Sequence, residues 1–431
     1  MKMRIVNYSD KHAEEILSPI LSRQLVFSGE EEKTVRYIIE TVRKEGDDAL
    51  VRFVAEFDGV SLRPDEFRIP EEKLKESHNS VDRSFLSAFR SARKNIERFH
   101  RAQKRESYTI DDGDGVSLGL RYTPVEKVGL YVPGGKAAYP SSILMNAIPA
   151  QIAGVERIVV VTPPGRFFDN PHVGAALREM ELTEVYGIGG AHAVAALAFG
   201  TRTIPKVDKI VGPGNIYVAL AKKIVYGIVD IDMIAGPSEI VILADSVTNP
   251  AYVAADLLSQ AEHGSGQELV ILITDSRKLA QKVEQEITSQ TKTLRHACAI
   301  KTVLEKSVSI VVDKLEDGID AVNSIAPEHL ELMVAEPQQI LDKIRNAGAI
   351  FLGSDSPEPV SDYFAGPNHV LPTNGTARFH SPLGVYDFQK CSTVVSYSHK
   401  RLIECGQDII KLAEVEGFDA HANAIRIRME K

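Results

Sequence analysis

Glu328 and His329 are neighbouring acid and imidazole side chains that could act together in proton transfer. They follow Pro327 and come directly before LELMV, a segment that is typical of a buried strand. A carboxylate beside an imidazole forms a natural acid/base pair, and the border of a buried strand is a common place for an active site. A hydrogen-bonded pair in a loop would show the same pattern. The segment therefore predicts candidate catalytic residues and leaves that alternative open.

Gln260 and His263 have the spacing of two metal ligands on one helix. They are three residues apart in DLLSQAEHG, near the end of a predicted helix. This spacing brings both side chains to the same helical face, as ligation of one ion requires. A histidine near a helix C-terminus also interacts favourably with the helix dipole, so a capping role is the alternative.

Two further polar segments lie in the last quarter of the chain. Residues 361–379, SDYFAGPNHVLPTNGTARF, contain Asp362 and His369 among glycines and prolines, a composition that suits a shaped binding loop. Near the C-terminus, EGFDAHANAIRIR supplies Glu416 and His421. By itself, His421 reads as a surface histidine.

Glycine-rich turns suggest phosphate binding elsewhere in the chain. GIGGAHA (187–193) and VGPGN (211–215) each follow a predicted strand and open a helix, where backbone N–H groups and the helix dipole favour an anion. Neither is a complete GxGxxG motif, and tight packing is the alternative. VPGGKAAYPSS (132–142) reads as a donor-rich loop that enters a helix at about Ser142, or as an ordinary connection.

The elements that must position these side chains read as an α/β chain. Ser28 and Glu31 form a capping box, and apolar residues at helical spacing predict a helix over 35–57 and a second, charged helix over about 70–105. From Val128 onward, short Val/Ile/Leu runs bounded by Gly and Pro alternate with Ala-rich stretches. This alternation predicts parallel strands covered by helices on both faces.

More than one domain is expected, because 431 residues exceed one ordinary core. The Gly-rich region 133–245 predicts one compact, nucleotide-binding-like unit. Strands resume at EIVILAD and continue to GAIFLG, which predicts a second α/β unit packed with the N-terminal helices. After about Pro382 the chain reads as a short, charged, helical tail.

Composition excludes several classes of protein. A net charge of -9 argues against a nucleic-acid partner, which needs a clustered cationic face. The three cysteines are odd in number and widely spaced, so they predict no disulfide framework and favour a reducing compartment. We find no apolar signal-peptide core and no window of roughly 20 apolar residues that would span a membrane. A cytoplasmic protein without a membrane partner is the expectation.

Taken together, these segments resemble the histidinol dehydrogenase family, which catalyses the last two steps of histidine biosynthesis. The resemblance runs in family order over nearly the whole chain. It is carried by seven blocks: YVPGGKAAYPSSILMNAIPA, VDKIVGPGN, DMIAGPSEI, QAEHG, APEHLEL, GPNHVLPTNGTARF and EGFDAHA.

The resemblance implies a catalytic zinc and an acid/base pair. Glu328 and His329 match the catalytic pair, in which His329 takes a proton in each of two oxidations and Glu328 activates the water that adds to the aldehyde. Zinc would hold the substrate as a template, with coordination positions left for substrate atoms. The positions that match the family's zinc ligands are Gln260, His263, Asp362 and His421.

The resemblance also implies the substrate, the cofactor and a partner. The reaction would convert L-histidinol through L-histidinal to L-histidine with two NAD molecules, in a homodimer whose C-terminal tail reaches the partner's site. The positions that match substrate contacts are Ser238, Gln260, His263, His329, Asp362, His369, Glu416 and His421. The positions that match NAD contacts are Tyr131, Asn215 and His192, the last of which replaces the family's usual Gln.

The implied fold has two Rossmann-like α/β domains with parallel-rich sheets and small helical elements at both ends. The expected division is an N-terminal tail (1–25), a discontinuous first α/β domain (26–129 and 240–382), a second, NAD-binding α/β domain (130–239) and a C-terminal dimerisation tail (383–431).

Two other functions are alternatives to the one that the resemblance implies. One is a related zinc and NAD dehydrogenase that oxidises another small primary alcohol, such as a sulfonated diol. Ser238, His369 and Glu416 favour histidinol, because a carboxylate suits a cationic amine and disfavours a sulfonate. The other is a non-catalytic nucleotide-binding protein, which the intact zinc and acid/base positions argue against.

Overall fold

The structure is a computed structural model, and it describes residues 3–134, 139–167, 170–263 and 265–430. The strands are β1 (Arg4–Asn7), β2 (Tyr108–Asp111), β3 (Val116–Pro124), β4 (Lys127–Tyr131), β5 (Arg157–Thr162), β6 (Val185–Gly187), β7 (Lys209–Val211), β8 (Asp230–Ile231), β9 (Glu239–Ala244), β10 (Leu269–Thr274), β11 (Val308–Val311), β12 (His329–Met333), β13 (Ala349–Leu352) and β14 (Gln389–Tyr397). The helices are α1 (Lys11–Leu21), α2 (Gly29–Glu45), α3 (Asp47–Phe53), α4 (Glu71–Ser80), α5 (Arg83–Arg101), α6 (Pro140–Ala153), α7 (Pro164–Phe167), α8 (Pro171–Glu179), α9 (Gly190–Phe199), α10 (Ile216–Val225), α11 (Pro250–Ala261), α12 (Arg277–Gln290), α13 (Ala297–Leu304), α14 (Leu315–Ile325), α15 (Pro337–Leu341), α16 (Glu358–Val360), α17 (His399–Val415) and α18 (Asp419–Met429).

Two parallel sheets form the body of the protein, as the sequence predicts. One has the strand order β1-β11-β10-β9-β12-β13 and the other the order β6-β5-β4-β7-β8. β9 is buried along its whole length, which is the burial expected of a parallel strand covered by helices on both faces. The α/β class and the parallel-rich sheets are confirmed.

The five-stranded sheet carries the N-terminal helices. Val159 and Val161 of β5 face one core, which contains α2, α3, α9 and α10, and Val160 faces the other, which contains α4, α5, α6 and α8. The expectation that the N-terminal helices pack with the strands from EIVILAD onward is wrong for α2 to α5, because their apolar side chains are buried against the sheet of β4 to β8. β1, which pairs with β11, and α1, whose Leu17 packs in the core of the six-stranded sheet, join the N-terminal region to that sheet. The domain boundaries stay a prediction.

Both long predicted helices are interrupted. The helix expected over 35–57 is divided at Gly46, whose φ of 57° lies in the left-handed region that glycine adopts most readily. The helix expected over 70–105 is divided at Val81, and Asp82 then caps α5 by accepting the Phe85 N–H at 2.8 Å. The predicted capping box is confirmed, with Ser28 and Glu31 bonded to each other's backbone N–H groups.

The C-terminal tail begins with a strand that the sequence analysis missed. β14 pairs antiparallel with β3 over nine residues, and β2 completes this three-stranded sheet. The pairing joins segments more than 250 residues apart, so no local pattern reveals it. α17 and α18 then pack against each other. In the described part of the chain, we find no helix that is long and apolar enough to span a membrane.

Candidate active site

Glu328 and His329 lie at the amino edge of the six-stranded sheet. His329 is the first residue of β12, in register with Ile240 of β9 and Ala349 of β13. α11 returns from the carboxyl end of β9 and ends near the same edge. Ligands of open α/β sheets usually bind at the carboxyl ends of strands, so this site lies at the opposite border.

The His329 side chain is a buried imidazole with one free nitrogen. Its Nδ1 lies 2.9 Å from the Glu239 carbonyl oxygen, which can only accept, so Nδ1 carries the proton. Its Nε2 is buried and has no hydrogen-bond partner among the described residues. Burial, and then the nearby His263 and His369 imidazoles, lower the pKa of His329 to about 4. The ring is therefore neutral at pH 7, with a lone pair on Nε2 that can take a proton.

Glu328 is held by the same Glu239 peptide. Its Oε2 accepts the Glu239 N–H at 2.8 Å and lies 3.6 Å from His329 Nδ1. Burial raises the pKa of Glu328 well above its usual range, and the neighbouring Glu239, Asp362 and Glu358 carboxylates act in the same direction. A carboxylate with a raised pKa is a stronger base, which suits the activation of water.

Glu358 is an acid of this site that the sequence analysis missed. Its carboxylate, that of Asp362 and the His329 ring place ligand atoms within 4.8 Å of one another. Burial raises the pKa of both Glu358 and Asp362. The i,i+4 spacing of these two acids in SPEPVSDY is the available signal, because the turn Ser361–Ala365 continues α16 and brings them to one helical face.

Gln260 and His263 lie beside this cluster. Gln260 Nε2 is 2.7 Å from His263 Nδ1, and the buried Gln260 Oε1 has no hydrogen-bond partner among the described residues. The His263 ring is close enough to act on the pKa values of His329, Glu358 and His369. A buried amide oxygen without a donor is an available ligand for a cation.

His369 and Ser238 border the same region. His369 Nδ1 lies 3.1 Å from the Asp362 carbonyl oxygen and 3.9 Å from Asp362 Oδ1. Ser238 immediately precedes β9 and is half-buried. The structure thus brings the site residues that were predicted between Ser238 and His369 to one edge of the six-stranded sheet.

Glu416 and His421 are not part of this cluster within one chain. Glu416 follows α17 and is exposed, and His421 is exposed on α18 with its ring 5.1 Å from that of Phe418. Within the described ranges, the group of possible metal ligands around Asp362 does not include His421.

A cavity, separate from this cluster, lies at the carboxyl ends of the strands of the five-stranded sheet. Its volume is about 340 Å³, and its lining includes Tyr131, His192 and Asn215, the three positions matched to cofactor contacts. The Tyr131 hydroxyl accepts the Gly190 N–H at 3.0 Å, and Asn215 Oδ1 caps α10. The rest of the lining combines glycine, proline, alanine and aromatic residues with the polar Thr34 and Asp58, and mostly apolar walls with a few polar groups are typical of ligand pockets.

The predicted loops agree with this cavity where they are described. GIGGAHA and VGPGN open α9 and α10, and both contribute to the lining. α6 begins at Pro140, two residues before the expected start. Residues 135–138 of VPGGKAAYPSS lie outside the described residues.

Comparisons with known proteins identify the family of the chain. The family model described as histidinol dehydrogenase matches residues 21–429. The histidinol dehydrogenase of Listeria monocytogenes is 53% identical over 401 residues, 93% of each chain, and that of Geobacillus kaustophilus is 52% identical over 422 residues, 97% of this chain and 99% of its own. The crystal structure of histidinol dehydrogenase from Elizabethkingia anophelis superposes with a TM-score of 0.93 at 36% identity, covering 99% of this chain and 98% of that one. An oxidoreductase with an NAD-type cofactor follows, and the chain belongs to the histidinol dehydrogenase family.

Proposed function

We propose that this protein oxidises L-histidinol through L-histidinal to L-histidine, with two molecules of NAD and with zinc at the substrate site. One observation carries the proposal. His329 is buried and neutral, with Nδ1 fixed by the Glu239 carbonyl and Nε2 free beside a cluster of carboxylates. Such an imidazole is prepared to remove a proton from an alcohol.

The donor set fits zinc. Gln260 Oε1 is buried without a donor, and His263 and Asp362 add one imidazole and one carboxylate nearby. With His421 from a second subunit, these residues would hold the ion and leave room for substrate atoms. Zinc would supply a fixed anchor for the imidazole and amine of the substrate.

The two oxidations use the same base. In the first, His329 Nε2 takes the hydroxyl proton of histidinol, while NAD supplies the acceptor for the hydride that leaves the carbon. In the second, Glu328 takes a proton from the water that adds to the aldehyde. His329 then takes the hydroxyl proton of the hydrate as the second hydride leaves. The sum is one histidinol, one water and two NAD+ consumed, and one histidine, two NADH and three protons formed.

A homodimer would complete the site. Glu416 and His421 are exposed on a tail whose outward side chains are apolar at several positions, including Ile403, Leu412 and Val415. Exposed apolar side chains in such number support a protein partner. In the proposed dimer, the tail reaches the partner's site, where the Glu416 carboxylate suits the cationic amine. Three free cysteines support a reducing, cytoplasmic location.

The product ratio tests the proposal. The protein is incubated with histidinol, NAD and zinc, and NADH and histidine are measured together. We expect two NADH for each histidine and no released aldehyde. One NADH with free histidinal would contradict the two-step reaction, and turnover of a sulfonated diol in place of histidinol would favour the related dehydrogenase.

A further inference from the structure

Asp58 and His192 form an incomplete polar pair in the wall of the cofactor cavity. Both residues line the cavity of about 340 Å³. The His192 side chain is only 1% exposed, and neither of its ring nitrogens has a hydrogen-bond partner among the described residues. Asp58 Oδ2 is likewise buried without a partner in the described part of the chain. Buried polar atoms are rarely left unpaired, so these three atoms point to a group that binds there.

The geometry between the two side chains indicates what that group is. His192 Nε2 lies 3.6 Å from Asp58 Oδ2, which is too long for a direct hydrogen bond. A carboxylate only accepts hydrogen bonds, whereas a neutral imidazole has one donor and one acceptor. A hydroxyl group can donate to the carboxylate and accept from the ring at the same time. Neighbouring hydroxyls, as on a ribose, would satisfy more of the unpaired atoms than one hydroxyl could.

The pair is held rigidly. The His192 ring centroid lies 6.0 Å from that of Phe53 and 6.1 Å from that of Phe57, so the imidazole is packed against two aromatic rings. Asp58 ends the π-helical turn Val54–Asp58, after which Gly59 turns the chain with a φ of 69°. Positions fixed in this way favour a ligand that fits the existing gap.

We propose that Asp58 and His192 bind the vicinal hydroxyls of a ribose of the dinucleotide. This inference rests on the proposed use of NAD, and it adds Asp58 to the cofactor site. The proposed ribose also fits the charge of the cavity wall, because none of the described lining residues is Lys or Arg. A carboxylate in such a wall suits a neutral diol and disfavours a phosphate.

Binding of NADH tests the role of Asp58 without any turnover. The chain contains no tryptophan, so the rise in NADH fluorescence on binding is measured directly. Asp58→Asn is expected to raise the Kd about tenfold or more, the usual loss when a hydrogen bond to a charged group is removed. Glu56→Gln is the matched control, because Glu56 is an exposed acid on the same turn that does not line the cavity. It is expected to leave the Kd unchanged.

Deoxy ligands identify the ribose, and their comparison on the wild-type protein is independent of whether the variant folds. AMP and nicotinamide mononucleotide are each compared with their 2′-deoxy forms on the wild-type protein and on Asp58→Asn. We expect one of the two nucleotides to lose affinity on deoxygenation with the wild-type protein and to lose much less with Asp58→Asn. That nucleotide carries the ribose in contact with Asp58.

Two results would overturn the inference alone. One is an Asp58→Asn variant that binds NADH as tightly as Glu56→Gln does. The other is a pair of deoxy nucleotides that bind the wild-type protein as tightly as their ribose forms. Failure of the wild-type protein to bind NADH would instead overturn the proposed function, and this inference with it.

Discussion

Arg23 is expected to stabilise the active site from a distance, through Glu239. Its guanidinium makes two hydrogen bonds to the Glu239 carboxylate, at 2.6 and 2.7 Å, and also donates to the carbonyls of Ile20 and Ile325. The Arg23 side chain is 13% exposed and that of Glu239 is 2% exposed. The backbone of Glu239 in turn holds Glu328 and His329. Arg23 is therefore a positioning residue for the acid/base pair.

The expected loss of unfolding free energy follows from the burial of Arg23 and Glu239. Replacing Arg23 by Ala leaves a buried carboxylate without its cation, which typically costs about 3–5 kcal/mol of unfolding free energy. The lower end, about 3 kcal/mol, is expected because Arg23 keeps some contact with water. Arg23→Ala combined with Glu239→Gln should recover part of that loss, since the unpaired charge is then absent. Arg36→Ala is the control, because its ion pair with Glu32 is exposed and should contribute under about 1 kcal/mol.

Urea denaturation followed by circular dichroism measures these differences, and NADH formation from histidinol measures the effect on turnover. We expect Arg23→Ala to lower kcat, because the Glu239 peptide would no longer be fixed. Arg23→Lys should restore part of the stability by restoring a charge, but not the two parallel hydrogen bonds. The reasoning is refuted if Arg23→Ala is no less stable than Arg36→Ala, or if the double variant loses the full sum of the two single losses.

Four further predictions concern the site itself. His329→Gln should lower kcat about 100- to 10,000-fold while NADH binding, measured by fluorescence, stays unchanged; a small loss would exclude His329 as the base. His192→Gln should change the Michaelis constant of NAD more than that of histidinol in steady-state assays, and equal effects would contradict a cofactor role. Mixing His421→Ala with Glu328→Ala subunits should restore activity to about a quarter of the wild-type value, because random dimers then contain one intact site in four; no recovery would argue against a shared site. A chelator should abolish histidinol oxidation and added zinc should restore it, and activity that resists thorough chelation would speak against a metal at Gln260 and Asp362.

Much of the fold could be predicted from local sequence patterns. The capping box of Ser28 and Glu31 and the apolar runs of β9 and β10 depend on neighbours in sequence, and both formed as predicted. The predicted packing partner of α2 to α5 was wrong, because an amphipathic stripe shows that a helix face is buried but not which sheet buries it. β14 was missed for a related reason, since its hydrogen-bond partner β3 lies far away in the chain.

The site was predictable where a motif is compact. Glu328 with His329, and Gln260 at the end of α11 with His263 two residues beyond that helix, are short patterns whose members lie close together because they are near in sequence. The environment of these residues was not predictable, because it depends on burial. The sequence analysis assigned no role to Glu358 or Glu331, yet both are buried, and Glu331 Oε1 accepts the Glu358 N–H at 2.8 Å. The free Nε2 of His329 likewise depends on a carbonyl 90 residues away.

The proposed substrate and cofactor sites are built on different sheets, and this separation bears on how a reaction with two oxidations could proceed. Glu328 and His329 lie at the amino edge of β9 and β12, whereas Tyr131, His192 and Asn215 line the cavity at the sheet of β4 to β8. In the proposed reaction, a spent dinucleotide could therefore leave, and a fresh one enter, without displacing Glu328 or His329. The aldehyde would stay at the substrate site while only the oxidant is exchanged, which would protect it from loss to the solvent between the two rounds.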